Sequence, residues 1–213
     1  MHKATRIIAV RHGETAWNAD SRMQGQIDIA LNATGRWQAQ RLARALAEEP
    51  LDAIYASDLS RAFDTARAVA ALTGHAVVAD TGLRERAFGH FEGETYTGIE
   101  TRWPEQGARW RARDVEFAPD GGESLREFHA RSVDAAARLA AAHAGGTILL
   151  VAHGGVLDCL YRAATGIALD VIRTWQLGNA SINRLLFSGQ GFSLVGWSDT
   201  RHLEDAVIDE AST

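Results

Sequence analysis

The sequence predicts an α/β fold: a three-layer α/β/α sandwich with a mostly parallel central sheet and a small helical lid insertion. Three observations lead there. Short apolar runs alternate with longer stretches of helical periodicity. Two of those runs, in "IIAVRHGE" and "ILLVAHGG", each stop at a histidine followed by glycine. One central stretch, residues 84–122, breaks the alternation with Gly89, Gly93, Gly98, Pro104, Pro119 and the pair Gly121 and Gly122.

The elements follow in order. Residues 6–10 read as a buried strand. A helix follows, with Thr34 as its expected N-cap and Ala39, Leu42, Ala43 and Leu46 on one face. Residues 51–57 form a second strand. The next helix carries Leu59, Phe63, Ala66 and Ala70 inward, is capped by Ser57 or Asp58, and ends at Gly74. Residues 75–80 are a third strand. Beyond the irregular stretch, a long helix places Leu125, Phe128, Ser132, Ala135, Ala136 and Leu139 on one face. Residues 147–152 give a fourth strand, with a helix after it. Residues 181–187 and 192–197 read as edge strands joined through Gly189 and Gly191. The chain of 213 residues is expected to be one domain, 1–213, with the insertion at roughly 86–122.

Composition narrows the function classes. The chain has 22 Lys+Arg against 27 Asp+Glu, a formal net charge of −5. That leaves no footprint for nucleic acid or an anionic membrane, so any anion site is local. The single cysteine, Cys159, fits a reducing compartment and reads as a small core residue. The first apolar run is too short for a membrane span or a signal segment, so a soluble, cytoplasmic protein is expected. His2, His75, His90, His129, His143 and His202 show no metal-ligand spacing, and no metal is expected. "GQGFSLVG" lacks the dinucleotide fingerprint and opens no helix.

In a mainly parallel sheet the chemistry gathers at the carboxyl ends of the strands. His12 and Gly13 end the first strand, Ser57 and Asp58 the second, and His153, Gly154 and Gly155 the fourth. Arg61 falls in the first turn of the helix after the second strand. Singly, each is better read as a turn residue or a solvated charge. Together, two strand–His–Gly turns with Arg11 and Arg61 nearby describe a phosphate pocket. A neutral imidazole is a competent phosphoryl acceptor, and cationic donors can stabilise the transfer without a metal.

These residues resemble the histidine phosphatase superfamily, the branch that includes cofactor-dependent phosphoglycerate mutase. The resemblance runs along nearly the whole chain, through "RHGETAWN", "QGQIDIALNATGRWQA", "SDLSRAFDTA", "LRERAFGHFEG", "GGES", "VAHGGVLD" and "NASINRL". Ala30, Leu31 and Asn32 stand where Pro-Leu-Thr is usual, a loop detail. The resemblance implies His12 as nucleophile, with Arg11, Arg61 and His153 stabilising the phosphoryl group. It implies Glu85 as proton donor and then base, a role that pattern alone does not assign. It adds phosphate or substrate contacts from Asn18, Gln24, Gly25 and the backbone N–H of Gly154.

The resemblance implies a phosphomonoesterase that uses a phosphohistidine, needs no cofactor, and acts on a small phosphorylated metabolite as a monomer or homodimer. A 2,3-bisphosphoglycerate-dependent phosphoglycerate mutase is the alternative, although the central stretch is short for one. A non-catalytic phospho-ligand-binding member of the fold is a lower alternative. Arg102, Arg109, Arg111 and Arg113, interleaved with Trp103 and Trp110, read mostly as a solvated helix with its tryptophans packed inward. The mechanism also predicts opposite pKa pressures on the two imidazoles, with His12 neutral and His153 cationic.

Overall fold

The structure is a computed structural model describing residues 3–204. His2 and both ends of the expected 1–213 domain lie outside the described residues. Six strands form one sheet: β1 (Thr5–Arg11), β2 (Ala53–Ala56), β3 (Val77–Ala79), β4 (Thr147–Ala152), β5 (Ile182–Ser188) and β6 (Gly191–Asp199). Their order is β3-β2-β4-β1-β5-β6. The first four strands are mutually parallel, β5 is antiparallel to β1, and β6 is antiparallel to β5. Among the described residues seven α-helices accompany them: α1 (Ala16–Ala19), α2 (Ala33–Ala45), α3 (Ser60–Thr73), α4 (Tyr96–Arg102), α5 (Pro104–Arg111), α6 (Leu125–Ala141) and α7 (Gly154–Thr165).

Alternation along the central strands builds two cores. Ile8, Val10, Leu149 and Val151 pack with Leu42 of α2 and Val69 of α3. Their sequence neighbours Ile7, Ala9, Ile148 and Leu150 pack with Phe128 of α6 and Leu160 of α7. Every residue of β4 is buried, which is why its sequence reads as an unbroken apolar run. The result is the three-layer α/β/α sandwich with a mostly parallel sheet. Cys159 is buried in the α6/α7 layer, as expected of a core residue.

Four local expectations need correction. Asn32, not Thr34, caps α2: its side chain accepts from the Gly35 N–H at 2.8 Å, and Thr34 lies inside the first turn. Leu59 precedes α3 without a side-chain cap, because the Asp58 carboxylate is taken by Arg84. The inner face of α3 is Ala62, Ala66 and Val69, with Phe63 and Ala70 only half-buried, because Arg61 turns inward and rotates the stripe. Of the last two strands, only β6 is an edge. β5 pairs with β1 on its other side.

The central excursion has its own small core. Met23, Phe91, Ile99 and Phe117 are buried, with Phe88, Trp103 and Trp110 packed around them. Both tryptophans therefore turn inward, as the sequence reading expects.

Candidate active site

Register places the two histidines side by side. β1 and β4 are neighbours, with Arg11 opposite Ala152. The His12 N–H continues that ladder by donating to the Ala152 carbonyl at 3.0 Å. His12 and His153 thus leave the sheet together, ring centroids 5.2 Å apart. Arg11 is the last residue of β1, and its Nη1 donates to the Leu177 carbonyl. Arg61, fully buried in the first turn of α3, donates to the carbonyls of Gly25 at 2.7 Å and Ile27 at 2.9 Å. Arg11, His12, Arg61 and Glu85 line one cavity of about 960 Å³. His153, beside His12, is completely buried, with neither ring nitrogen bonded to protein.

The environment fixes the state of His12. Its Nδ1 lies 2.7 Å from the Gly13 carbonyl oxygen. A carbonyl can only accept, so Nδ1 carries the proton and Nε2 keeps the lone pair in the neutral ring. Burial, then Arg61 and Arg11, holds the His12 pKa well below the ordinary 6.5. The same pressures act on His153: burial first, then Arg61, His12 and Arg11, all lowering. The expected opposite pressures are therefore corrected, because both imidazoles share the same two guanidiniums and the same burial. Burial also lowers the pKa of Arg11 and Arg61, while the Glu85 carboxylate opposes it.

Glu85 is held as a bonded group, not as a solvated charge between two arginines. Its Oε2 accepts from the Gly155 N–H at 3.0 Å and its Oε1 from the Arg86 N–H at 2.9 Å. Its neighbours are engaged elsewhere. Arg84 pairs with Asp58, and the buried Arg86 guanidinium donates to the carbonyls of Phe117 and Glu123 and lies over the Trp110 ring.

Packing accounts for Gly155 and Gly13. A Cβ at Gly155 would sit 2.2 Å from Glu85 Oε1 and 2.8 Å from the Phe128 ring. A Cβ at Gly154 would meet only the Arg11 guanidinium, at an ordinary 3.5 Å. Gly154 does line the cavity, and as the first residue of α7 its N–H has no intrahelical acceptor. Gly13 is glycine because it packs on Gly35 of α2: a Cβ there would lie 2.4 Å from the Gly35 carbonyl oxygen.

Asn18, Gln24 and Gly25 also line the cavity. Asn18 closes a capping box with Thr15, so its Oδ1 faces backbone and its amide nitrogen is left for a ligand. Gln24 Oε1 accepts from the Thr15 hydroxyl. Gly25 has φ +53°, and a Cβ there would sit 2.0 Å from Glu92 Oε1. Its carbonyl is one of the two that fix Arg61.

Sequence reasoning passed over several neighbours. Asn179 donates to the His12 carbonyl at 2.9 Å and lies in the quoted "NASINRL", but nothing in that run assigns it a partner. Arg173 and Trp175 line the cavity from residues 166–178, a loop without pattern. Of the four arginines of the excursion, Arg111 and Arg113 line the cavity, whereas Arg102 and Arg109 pair with Glu94 and Asp114. Among the described residues, no group of three or more His, Cys, Asp or Glu side chains is placed to hold a metal ion.

A family model, the histidine phosphatase superfamily (branch 1), matches residues 7–200. The chain belongs to this superfamily. It is 40% identical over 204 residues to phosphoglycerate mutase-like protein 4 of Arabidopsis thaliana, covering 93% of this chain and 87% of that one. It is 37% identical over 205 residues to the metal-independent phosphoserine phosphatase of the same plant, covering 94% and 84%. Among solved structures, a mycobacterial glucosyl-3-phosphoglycerate phosphatase complexed with VO3 superimposes with a TM-score of 0.81. The identity is 36%, over 92% of this chain and 99% of that one. Among the described residues of this superfamily member, no helix is long and apolar enough to cross a membrane.

Proposed function

We propose that this protein is a metal-independent phosphomonoesterase that hydrolyses a small phosphorylated metabolite through a phosphohistidine on His12. One observation carries the reading. A neutral imidazole with Nδ1 pinned to the Gly13 carbonyl keeps its Nε2 lone pair beside the guanidiniums of Arg11 and the buried Arg61, in the cavity where Glu85 is held. Phosphatase names among the relatives support the same class.

Nε2 of His12 attacks phosphorus, the ester P–O bond breaks, and a protonated Glu85 gives its proton to the leaving oxygen. Arg11, Arg61, His153, Asn18 and the Gly154 N–H stabilise the equatorial oxygens. A water then attacks the phosphohistidine and passes a proton to Glu85. The P–N bond breaks and phosphate departs. Gln24 and Gly25 line the substrate side.

A second reading, a bisphosphoglycerate-dependent mutase, has one observation in its favour: Arg173 lines the cavity together with Arg111 and Arg113, the last two paired with Glu100 and Asp158. The test is phosphate release from a panel of phosphorylated metabolites, with and without 2,3-bisphosphoglycerate, beside His12→Ala. Release is expected from the wild type without the bisphosphate and from His12→Ala not at all. Release that persists in His12→Ala overturns the nucleophile. Bisphosphate-dependent interconversion of 2- and 3-phosphoglycerate overturns the phosphatase.

A further inference from the structure

Arg162 is a buried arginine that the mechanism does not use. It sits on α7, its side chain is 1% exposed, and it does not line the cavity. Nothing about its position on a mostly apolar helix calls for a charge. Its partners explain it. Nε donates to Asp158 Oδ2 at 3.0 Å, Nη1 donates to the Ala168 carbonyl, and Nη2 donates to the Val171 carbonyl at 2.9 Å. The guanidinium also lies over the Trp175 ring, 4.8 Å from its centroid, and that ring stacks on Tyr161.

Residues 167–177 contain no regular helix or strand, so their backbone groups need partners from outside. Arg162 grips this loop at Ala168, Val171 and Trp175. Two residues further on, the Leu177 carbonyl accepts from Arg11 Nη1. Among the described residues this is the one hydrogen bond that the Arg11 guanidinium makes, and its Nε is buried without an acceptor. The direction of Arg11 therefore depends on where Leu177 is held. Arg113, from the excursion, joins the same anchor by donating to the Leu169 carbonyl at 2.8 Å and to Asp158 at 3.3 Å.

We propose that Arg162 is a positioning residue for Arg11: by clamping the loop after α7 it sets the Leu177 carbonyl, and through it the Arg11 guanidinium at the phosphoryl site. The proposal rests on the reading of the cavity as a phosphoryl pocket. A planar guanidinium recognises phosphate through directed N–H bonds, so a rotation of its plane costs affinity even with the charge kept. A supporting group misplaced by about 1 Å can cost on the order of 10²-fold in rate.

The experiment is a double-mutant cycle of Arg162→Met with Arg11→Lys. It is read as inorganic phosphate affinity by calorimetry and as kcat and KM on a phosphate ester. Arg162→Met keeps the apolar volume, and Asp158 keeps Arg113 as its partner. In the wild-type background it is expected to weaken phosphate binding about tenfold, a coupling ordinary for residues in one network. In the Arg11→Lys background it is expected to change binding by less than about twofold. The same factor in both backgrounds, or no effect on phosphate affinity in folded protein, overturns the positioning role and leaves Arg162 as fold support only. Should Arg162→Met not fold, Arg162→Lys runs the same cycle, since an ammonium cannot reach both carbonyls and Asp158 together. A wild type that binds phosphate but turns over no ester refutes the proposed activity and still lets the cycle decide this role. A wild type that binds no phosphate overturns the pocket and the proposal together.

Discussion

The pair Gly155→Ala and Gly154→Ala separates the two adjacent glycines after His153 by their consequences. At position 155 the added methyl carbon would lie 2.2 Å from Glu85 Oε1, against an ordinary contact of 3.4–4 Å. One of the two must move by more than 1 Å, and the Phe128 ring at 2.8 Å closes the other side. The carboxylate then loses its bond to the Gly155 N–H, and with it the position that the proposed acid role needs. Correctly placed general acid catalysis is worth about 10²–10⁴-fold, so Gly155→Ala should lower kcat/KM, which reports the transfer to His12, on alkyl phosphates by about 100-fold or more. An aryl phosphate, whose phenolate departs without a proton, should lose far less in kcat/KM, while the shared hydrolysis step, with Glu85 as base, slows kcat on both. At position 154 the methyl would meet the Arg11 guanidinium at 3.5 Å, an ordinary contact, and activity should hold within about threefold, the scale of a minor packing change. The assay is steady-state kinetics on matched alkyl and aryl phosphates, with circular dichroism to confirm folding. Equal losses of kcat/KM on both substrates, or Gly154→Ala proving as damaging as Gly155→Ala, refute the reasoning.

Further predictions concern stability. His12 and His153 both have folded pKa values well below 6.5, so the unfolded chain takes up their protons first as pH falls. Their stability contribution is complete above about pH 6.5 and is lost as pH drops from there toward the folded values, at up to about 1.4 kcal/mol per pH unit for each ring. Urea midpoints measured from pH 7 to 5 should fall, and His153→Asn should flatten the slope; identical slopes refute the assignment. Gly13→Ala forces a methyl onto the Gly35 backbone and should cost about 1–3 kcal/mol in a denaturant titration. Asn32→Ala should cost about 1 kcal/mol through loss of the α2 cap. The exposed Thr34→Ala should stay within about 0.5 kcal/mol, and a reversed order sinks the cap assignment.

Much of the fold was legible because burial writes itself as period. Apart from Gly35 and Ala140, the buried residues of α2 and α6 were visible as helical stripes, and the two-sided burial of β4 as an unbroken apolar run. Errors fell where a polar group takes a place that the pattern reserves for an apolar one. Arg61 turns into the protein and rotates the inner face of α3. Asp58 spends its carboxylate on Arg84 rather than on a helix cap. Asn179 and Arg113 act through backbone carbonyls of distant segments and Arg162 through those of the loop after its own helix, and a carbonyl has no letter in the sequence.

The sequence by itself determined the α/β class, the order of elements, and the gathering of Arg11, His12, Arg61 and His153 at one edge of the sheet. Strand ends and helix starts are local properties, and a parallel sheet brings them together by construction. Only the tertiary structure decided which nitrogen of His12 is protonated, that both imidazoles are pushed downward, and that Gly155 makes room for Glu85. It also decided that Gly13 is small for the sake of Gly35. The tautomer depends on how the His12 ring turns onto the carbonyl of the next residue. The others depend on atoms far apart in the chain meeting within a few ångströms, and the space around a Cβ does not exist until they do.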